Sequence, residues 1–184
     1  MLFEIWVDAD SVQKGLRTII LKASTRLALP CTFVADRSLA DVLRYIADDT
    51  FSLRQKARGE GISDPDALKA IKSRIRMVVV ESASDSADDY VVQNAPKRSL
   101  CITHDIPLAA RLLEKGCFVI DDRGSEYTSD DIKARLGDRL VNKELRSWGV
   151  FTDQQGKMDA SNQKSFADNF DRLLTRLGRM QEEE

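Results

Sequence analysis

The chain has one histidine and three cysteines among 184 residues, and neither set is arranged for zinc. Cys31, Cys101 and Cys117 are odd in number and show no C-x-x-C spacing, and two of them fall inside apolar runs. They read as small buried thiols, and with His104 alone they make no Cys/His metal set. No apolar run approaches the roughly 18 residues that a membrane-spanning helix needs, so no membrane is expected as a partner. The start, "MLFEIWV", lacks the basic and cleavable parts of a secretory signal, which makes the cytoplasm the expected location. Charge of one sign is also missing. Lys and Arg total 28 against 30 Asp and Glu, a net of −2, so bulk attraction to nucleic acid is absent and a local basic face would have to supply it.

What is present is a globular composition, 42% hydrophobic and 32% charged, with no repeat and no second composition regime. We expect one domain over 1–184, with about 150–184 forming a C-terminal loop and packing helix. Apolar strand-like runs at Phe3 to Val7, Cys31 to Ala35, Met77 to Val80, Leu100 to Thr103 and Cys117 to Ile120 alternate with helical periodicity. Val12, Leu16, Ile19, Ile20, Ala23 and Leu27 mark the first helix, ended by Pro30, and Leu39, Val42, Leu43 and Ile46 mark the second. Asp48 to Gly61 reads as a helix end plus an exposed loop carrying Arg54, Lys56 and Arg58. Asp64-Pro65 starts another helix, with Leu68, Ile71 and Ile75 on one face. Ser84 to Asn94 is expected to be helical, as are a short segment around Leu108 to Leu113 stopped by Gly116, one opened by Thr128-x-x-Asp131, and Asp138 to Trp148 closed by Gly149. Phe151 to Ala160 is polar and turn-rich. A last helix places Phe166, Phe170, Leu173, Leu174 and Leu177 on one face. Strands separated by helices imply crossover connections, hence an α/β fold with a mainly parallel five-stranded sheet covered on both faces.

In such a sheet, sites lie beyond the carboxyl ends of the strands. Aspartates sit at four of these ends: Asp8 and Asp10 after the first, Asp85, Asp88 and Asp89 after the third, Asp105 after the fourth, and Asp121 and Asp122 after the fifth. A helix cap explains any one of them, and for Asp121, Asp122 and Asp131 it is the preferred reading. It explains the set less well, because two carboxylates about 4 Å apart repel by roughly 4 kcal/mol at an effective dielectric near 20. Converging acids must be offset by protonation, by arginine or by a hard divalent cation, of which Mg²⁺ or Mn²⁺ is the simplest. Convergence depends on strand order, which periodicity does not give. Ser11, Arg37, Ser38, Thr103, Arg123 and Gly124 lie on the same edge and are candidates for substrate phosphate contacts, with ordinary loop roles as the alternative. His104 is expected to be a loop residue.

The segments "IWVDADS" (Ile5 to Ser11), "SDSADDYV" (Ser84 to Val91) and "ITHDIPLAARLLEKG" (Ile102 to Gly116) resemble the YaiI/YqxD family of PIN-like proteins. "DDRGSEYTSDDIKARL" and the Q-x-x-F at Gln163 to Phe166 are similar to its C-terminal half. The resemblance implies a PIN-like three-layer α/β/α fold and a nuclease dependent on Mg²⁺ or Mn²⁺, with nucleic acid, RNA favoured, as partner. It assigns catalysis to Asp8, Asp88 and Asp105, and metal ligation to those three with Asp10 and Asp85. Two other readings stay open. One is a non-catalytic PIN-like module that binds nucleic acid or protein, with a second copy of the chain as a further partner left open. The other is a phosphatase of the haloacid dehalogenase type, in which Asp8 is the nucleophile, Asp10 the general acid, and Thr103, Lys115 and Asp121-Asp122 later parts.

Overall fold

The computed structural model describes residues 3–81, 86–134 and 160–182. Strand β1 (Ile5–Asp8) is apolar up to Val7 and ends in the carboxylate of Asp8, and α1 (Lys14–Leu27) follows it. Helix α1 stops before Pro30, at Ala28, whose left-handed backbone returns its N–H to the last turn. Strand β2 (Cys31–Ala35) is wholly buried and leads into α2 (Ala40–Gly59). The short α3 (Pro65–Ala70) is capped by Asp64, whose carboxylate accepts from Ala67 N at 3.0 Å. Then come β3 (Ile75–Val79), α4 (Ser86–Asn94), β4 (Leu100–Ile102), α5 (Ile106–Glu114) and β5 (Phe118–Ile120). Residues 129–134 are helical (α6), and α7 (Ala160–Glu182) is the longest helix described.

The sheet order is β3-β2-β1-β4-β5 and every pairing is parallel. Ile5 stands between Cys31 and Leu100, Val7 between Phe33 and Ile102, and Asp8 beside Val34. Alternation along the strands feeds two apolar layers. On one face Ile5, Val7 and Phe33 meet Leu16 and Ile20 of α1 and Phe166, Phe170 and Leu174 of α7. On the other, Trp6, Val34, Cys101 and Val119 meet Val91 of α4, Leu108 and Leu112 of α5, and Ile132. The result is the three-layer α/β/α arrangement consistent with a PIN-like fold, with the sheet parallel in all its pairings rather than mainly so. All three cysteines are free and buried, and burial pushes the Cys31 thiol up to about 12.

Helix α7 buries the five residues its periodicity predicts, and Phe166 and Phe170 stack with ring centroids 5.4 Å apart. Arg26 pairs with Asp171 at 2.5 Å, fastening α7 to α1.

Three expectations need correction. Asp48 to Gly61 is not a helix end followed by a loop: α2 runs unbroken to Gly59, because no glycine or proline interrupts it and Leu53 to Arg58 are all good helix formers. Only Val42 and Ala57 are fully buried in α2, so the sequence shows little apolar periodicity to extend. Ile75 opens β3 instead of closing a helix face, and it pairs with Cys31. Strand β3 accordingly begins two residues earlier than the run Met77 to Val80. The expected helix at Asp138 to Trp148 and the turn-rich stretch to residue 159 lie outside the described residues. Among the described residues, no helix is long and apolar enough to cross a membrane.

Candidate functional site

The chain builds β1, β2 and β3 outward in one direction, then returns to add β4 on the other side of β1. The strand order therefore reverses between β1 and β4, and loops leaving their carboxyl ends diverge to open a crevice. Asp8 ends β1, and Thr103-His104-Asp105 follows β4, so both segments lie at this reversal.

Asp8 is only 8% exposed, an unusual position for a carboxylate. Thr103, itself buried, donates its hydroxyl to Asp8 Oδ2 at 2.7 Å. Burial pushes the Asp8 carboxyl above its ordinary range, and hydrogen bonds from Thr103 and Ser11 oppose the rise. The neighbouring charge that bears on it, Asp10, has the same sign. Thr103 Oγ1 also accepts from Asp105 N at 3.0 Å, so one hydroxyl holds both acid-bearing segments. Ser11 makes a second tie: its hydroxyl donates to Asp8 O at 3.1 Å and accepts from His104 N at 3.2 Å.

Asp105 is half-buried and caps α5, its Oδ1 accepting from Leu108 N at 2.9 Å. Asp10 turns toward β2, where its Oδ2 accepts from Asp36 N at 2.8 Å. Arg37 reaches both Asp10 and Asp36 at 3.5 Å, while Ser38 is exposed. Asp88 is half-buried in the first turn of α4, which packs across β1 and β2 with Tyr90 6.5 Å from Trp6 between ring centroids. Its neighbour Asp89 points elsewhere and pairs with Arg111 at 2.6 Å. Asp85 lies outside the described residues. Among the described residues, no three His, Cys, Asp or Glu side chains are placed closely enough to hold a metal ion. The geometry thus brings together Asp8, Ser11, Thr103 and Asp105, and draws the carboxylate of Asp10 toward β2.

Asp121 and Asp122 do not cap a helix, contrary to the preferred sequence reading. Asp121 is buried in the turn after β5, and its Oδ1 accepts from Arg123 N at 2.9 Å and Ser125 N at 2.7 Å. Asp122 takes His104 Nδ1 at 3.0 Å; this bond raises the His104 pKa and lowers that of Asp122. His104 is therefore a loop residue, as expected, but one anchored to the β5 loop. Asp131 does form the predicted capping box, exchanging hydrogen bonds with Thr128 through side chain and backbone. Arg123 is exposed on the β5 loop. Gly124 adopts φ +80°, and a Cβ there would lie 2.9 Å from Asn169 Cβ and 3.0 Å from Phe166 Cα. Its backbone lets α7 approach, a structural reason for glycine independent of any ligand.

Asp36 was not singled out in the sequence. Its signal is the same as that of the other acids, a carboxylate immediately after an apolar strand, here β2. With it, carboxylates close or follow strands across the whole sheet edge.

Lys115, assigned to the phosphatase reading, sits at the end of α5 and donates to the carbonyls of Val92 and Gln93 in α4. That is the opposite end of α5 from Asp105, away from Asp8.

The family described as "Uncharacterized BCR, YaiI/YqxD family" matches residues 63–176. A UPF0178 protein of Trichlorobacter lovleyi is 34% identical over 175 residues, covering 95% of this chain and 96% of that protein. A UPF0178 protein of Citrifermentans bemidjiense is 34% identical over 176 residues, covering 96% of each. One from a Marinomonas species is 34% identical over 170 residues, 92% of this chain and 95% of its own length. No solved structure matches the chain. A family match over residues 63–176, with relatives 34% identical over 92–96% of the chain, places the chain in the YaiI/YqxD family.

Proposed function

We propose that the crevice between β1 and β4 is the active site of a nuclease that uses Mg²⁺ or Mn²⁺ to hydrolyse phosphodiester bonds, with RNA as the favoured substrate. The observation that carries this reading is the state of Asp8. It is a buried carboxylate at the strand-order reversal, with neutral hydrogen-bond donors and a like-charged neighbour. A buried anion of this kind is costly unless a cation joins it, and its all-oxygen surroundings suit a hard divalent ion. Asp8 and Asp105 would hold such an ion, with Asp88 completing the set and Asp10 and Asp85 acting directly or through water.

The bound ion would lower the pKa of an attacking water and stabilise charge on the leaving oxygen. The chain's own residues do the positioning. Thr103 fixes the Asp8 carboxylate and the start of the Asp105 loop, and Ser11 joins the loops after β1 and β4. Arg37, Arg123 and the exposed hydroxyl of Ser38 lie on neighbouring loops, where substrate phosphates would pass. The arrangement requires no histidine base. The position of Lys115 gives the phosphatase reading no support.

The test is incubation of the purified protein with labelled single-stranded RNA and DNA, structured RNA and a phosphomonoester, in Mn²⁺ and in EDTA. Polynucleotide cleavage that needs Mn²⁺ and disappears in Asp8→Asn and Asp105→Asn is the expected result. Turnover of the phosphomonoester alone would transfer the site to phosphatase chemistry. Metal-dependent nucleic-acid binding without cleavage would make it a binding module.

A further inference from the structure

The far end of α2 carries a second feature that the crevice does not use. Between Arg54 and Arg76 there are seven cations and three acids, in a chain whose net charge is −2. Two of those acids are engaged locally: Glu60 lies 3.9 Å from Lys56, and Asp64 caps α3. Arg54, Arg58, Ser63, Pro65, Leu68 and Lys69 surround an open concavity with about 330 Å³ of water-accessible space.

Arg54 is held in place, its Nε donating to Ile71 O and an Nη to Lys69 O, both at 3.1 Å. These bonds clamp the α3–β3 connection against α2 and shape the concavity. Arg58 lies one turn beyond on the same face of α2, and Lys69 faces it from α3. Among the described residues, no ion pair joins Arg54, Arg58 or Lys69 to a carboxylate. Three cations thus line one cavity that has no carboxylate among its lining residues, although Asp64 and Asp66 flank it on α3, and the same surface offers a hydroxyl from Ser63 and apolar contact from Leu68 and Pro65.

An independent observation indicates what kind of anion fits. Phe51 is 61% exposed, the most exposed of the chain's large apolar side chains described, and it precedes Arg54 by three residues and Arg58 by seven. That spacing puts the aromatic ring and both guanidinium groups on one helical stripe. A ring beside a basic groove is how proteins hold single strands without reading sequence: phosphates meet the cations and a base stacks on the ring. A free phosphate would have no use for the ring, and a duplex would not offer an unstacked base.

We infer that the α2–α3 concavity, with Arg54, Arg58, Lys69 and Phe51, binds the backbone and a base of single-stranded nucleic acid. The inference rests on the polynucleotide reading of the crevice only for its purpose, since the contacts themselves need no metal. Helix α2 leaves β2 at the carboxyl edge of the sheet and β3 starts at the amino edge. The concavity therefore lies across the molecule from Asp8, at the end of a helix about 30 Å long at 1.5 Å per residue. A strand held there can extend along α2 toward the crevice.

The experiment is fluorescence anisotropy of labelled oligouridylate and oligothymidylate against the full chain, in EDTA, over a range of salt concentrations. Wild type should bind at low salt, and the double variant R58E/K69E should bind about tenfold more weakly or worse. Arg58→Gln and Lys69→Gln should each lower the salt slope by about one. Phe51→Ala should weaken binding about fivefold or more without changing that slope. The substituted side chains at 51, 58 and 69 are exposed, and a circular dichroism melt of each variant serves as the check that it is folded. Equal binding by wild type and R58E/K69E, or no binding by wild type, overturns the inference. Binding that follows this pattern without cleavage in Mn²⁺ supports the concavity and removes the nuclease; cleavage with binding unaffected by R58E/K69E does the reverse. Preference between the two oligonucleotides identifies RNA or DNA as the source.

Discussion

Thr103 and Asp8, 95 positions apart in the chain, share a 2.7 Å hydrogen bond inside the protein, and the same threonine hydroxyl accepts the backbone N–H of Asp105. Removing that hydroxyl leaves a buried carboxylate without its closest donor. Thr103→Val should therefore destabilise the fold by about 1–3 kcal/mol, measured by urea unfolding at neutral pH. An unchanged midpoint would show that the bond contributes nothing net.

Asp8 itself should oppose folding. Its carboxyl is raised in the folded state by burial, so between its unfolded and folded pKa values the native chain binds more protons than the unfolded one. Stability then falls as pH rises through that interval, starting near the ordinary value of 3.8. Asp8→Asn should be more stable than wild type at neutral pH, by on the order of 1 kcal/mol or ~2–4 °C in Tm. The gain should vanish in acid. A variant less stable than wild type at neutral pH would refute this.

A divalent ion that relieves this burden should be visible without any activity. Millimolar Mn²⁺ should raise the Tm of wild type, since a ligand that binds only the native state stabilises it, by about 2.7 kcal/mol at a hundredfold excess over Kd. Asp8→Asn should lose most of the shift. Equal shifts in both proteins would place metal binding elsewhere.

His104 is the chain's single histidine, so its ring protons give one titration by NMR. Its pKa should lie above the ordinary 6.5, and Asp122→Asn should bring it back. Raised histidine and lowered aspartate pKa values have opposite consequences. The histidine's contribution is complete below 6.5 and is lost as pH rises through its folded pKa. That of Asp122 is present above 3.8 and is lost as pH falls through its own. The pair should stabilise most between about pH 4 and 6.5, and by well under 1 kcal/mol because the imidazole is 51% exposed.

Gly124 and Gly116 provide a matched comparison. Both have positive φ, but a Cβ at Gly116 meets open space whereas one at Gly124 meets α7. Gly116→Ala should cost about 1 kcal/mol for the left-handed backbone alone. Gly124→Ala should cost clearly more by urea unfolding, the excess reporting displacement of α7.

The parts legible in the sequence are those where one force dominates. Strands β1 and β2 are buried on both faces and so appear as short apolar runs, broken only by Thr32, with an acid at or just after the end. Helix α7 buries one stripe and leaves the rest in water, so Phe166, Phe170 and Leu174 could be named from spacing. Most of α2 is exposed, and its helical state depends on backbone propensity, which leaves little trace in the positions of apolar residues. Ile75 fits a helical period by coincidence with its neighbours. At the site, Asp8, Asp105 and Thr103 could be found because they follow strands. What the pattern could not supply was strand order, and with it the bond from Thr103 to Asp8. It also gave no hint that Asp10 would turn to the backbone of Asp36 or that Asp122 would reach His104.

The insertion of β4 beside β1 has a consequence during synthesis. A nascent chain that has emerged only as far as β3 can pair β1 with β2, but the other side of β1 has nothing to bond to. Ile5, Trp6 and Val7 then form an open strand edge, a template for pairing with other chains. That edge closes only when Leu100 to Ile102 arrive, the same event that brings Thr103 to Asp8. One docking step both assembles the acidic crevice and covers the open edge of β1.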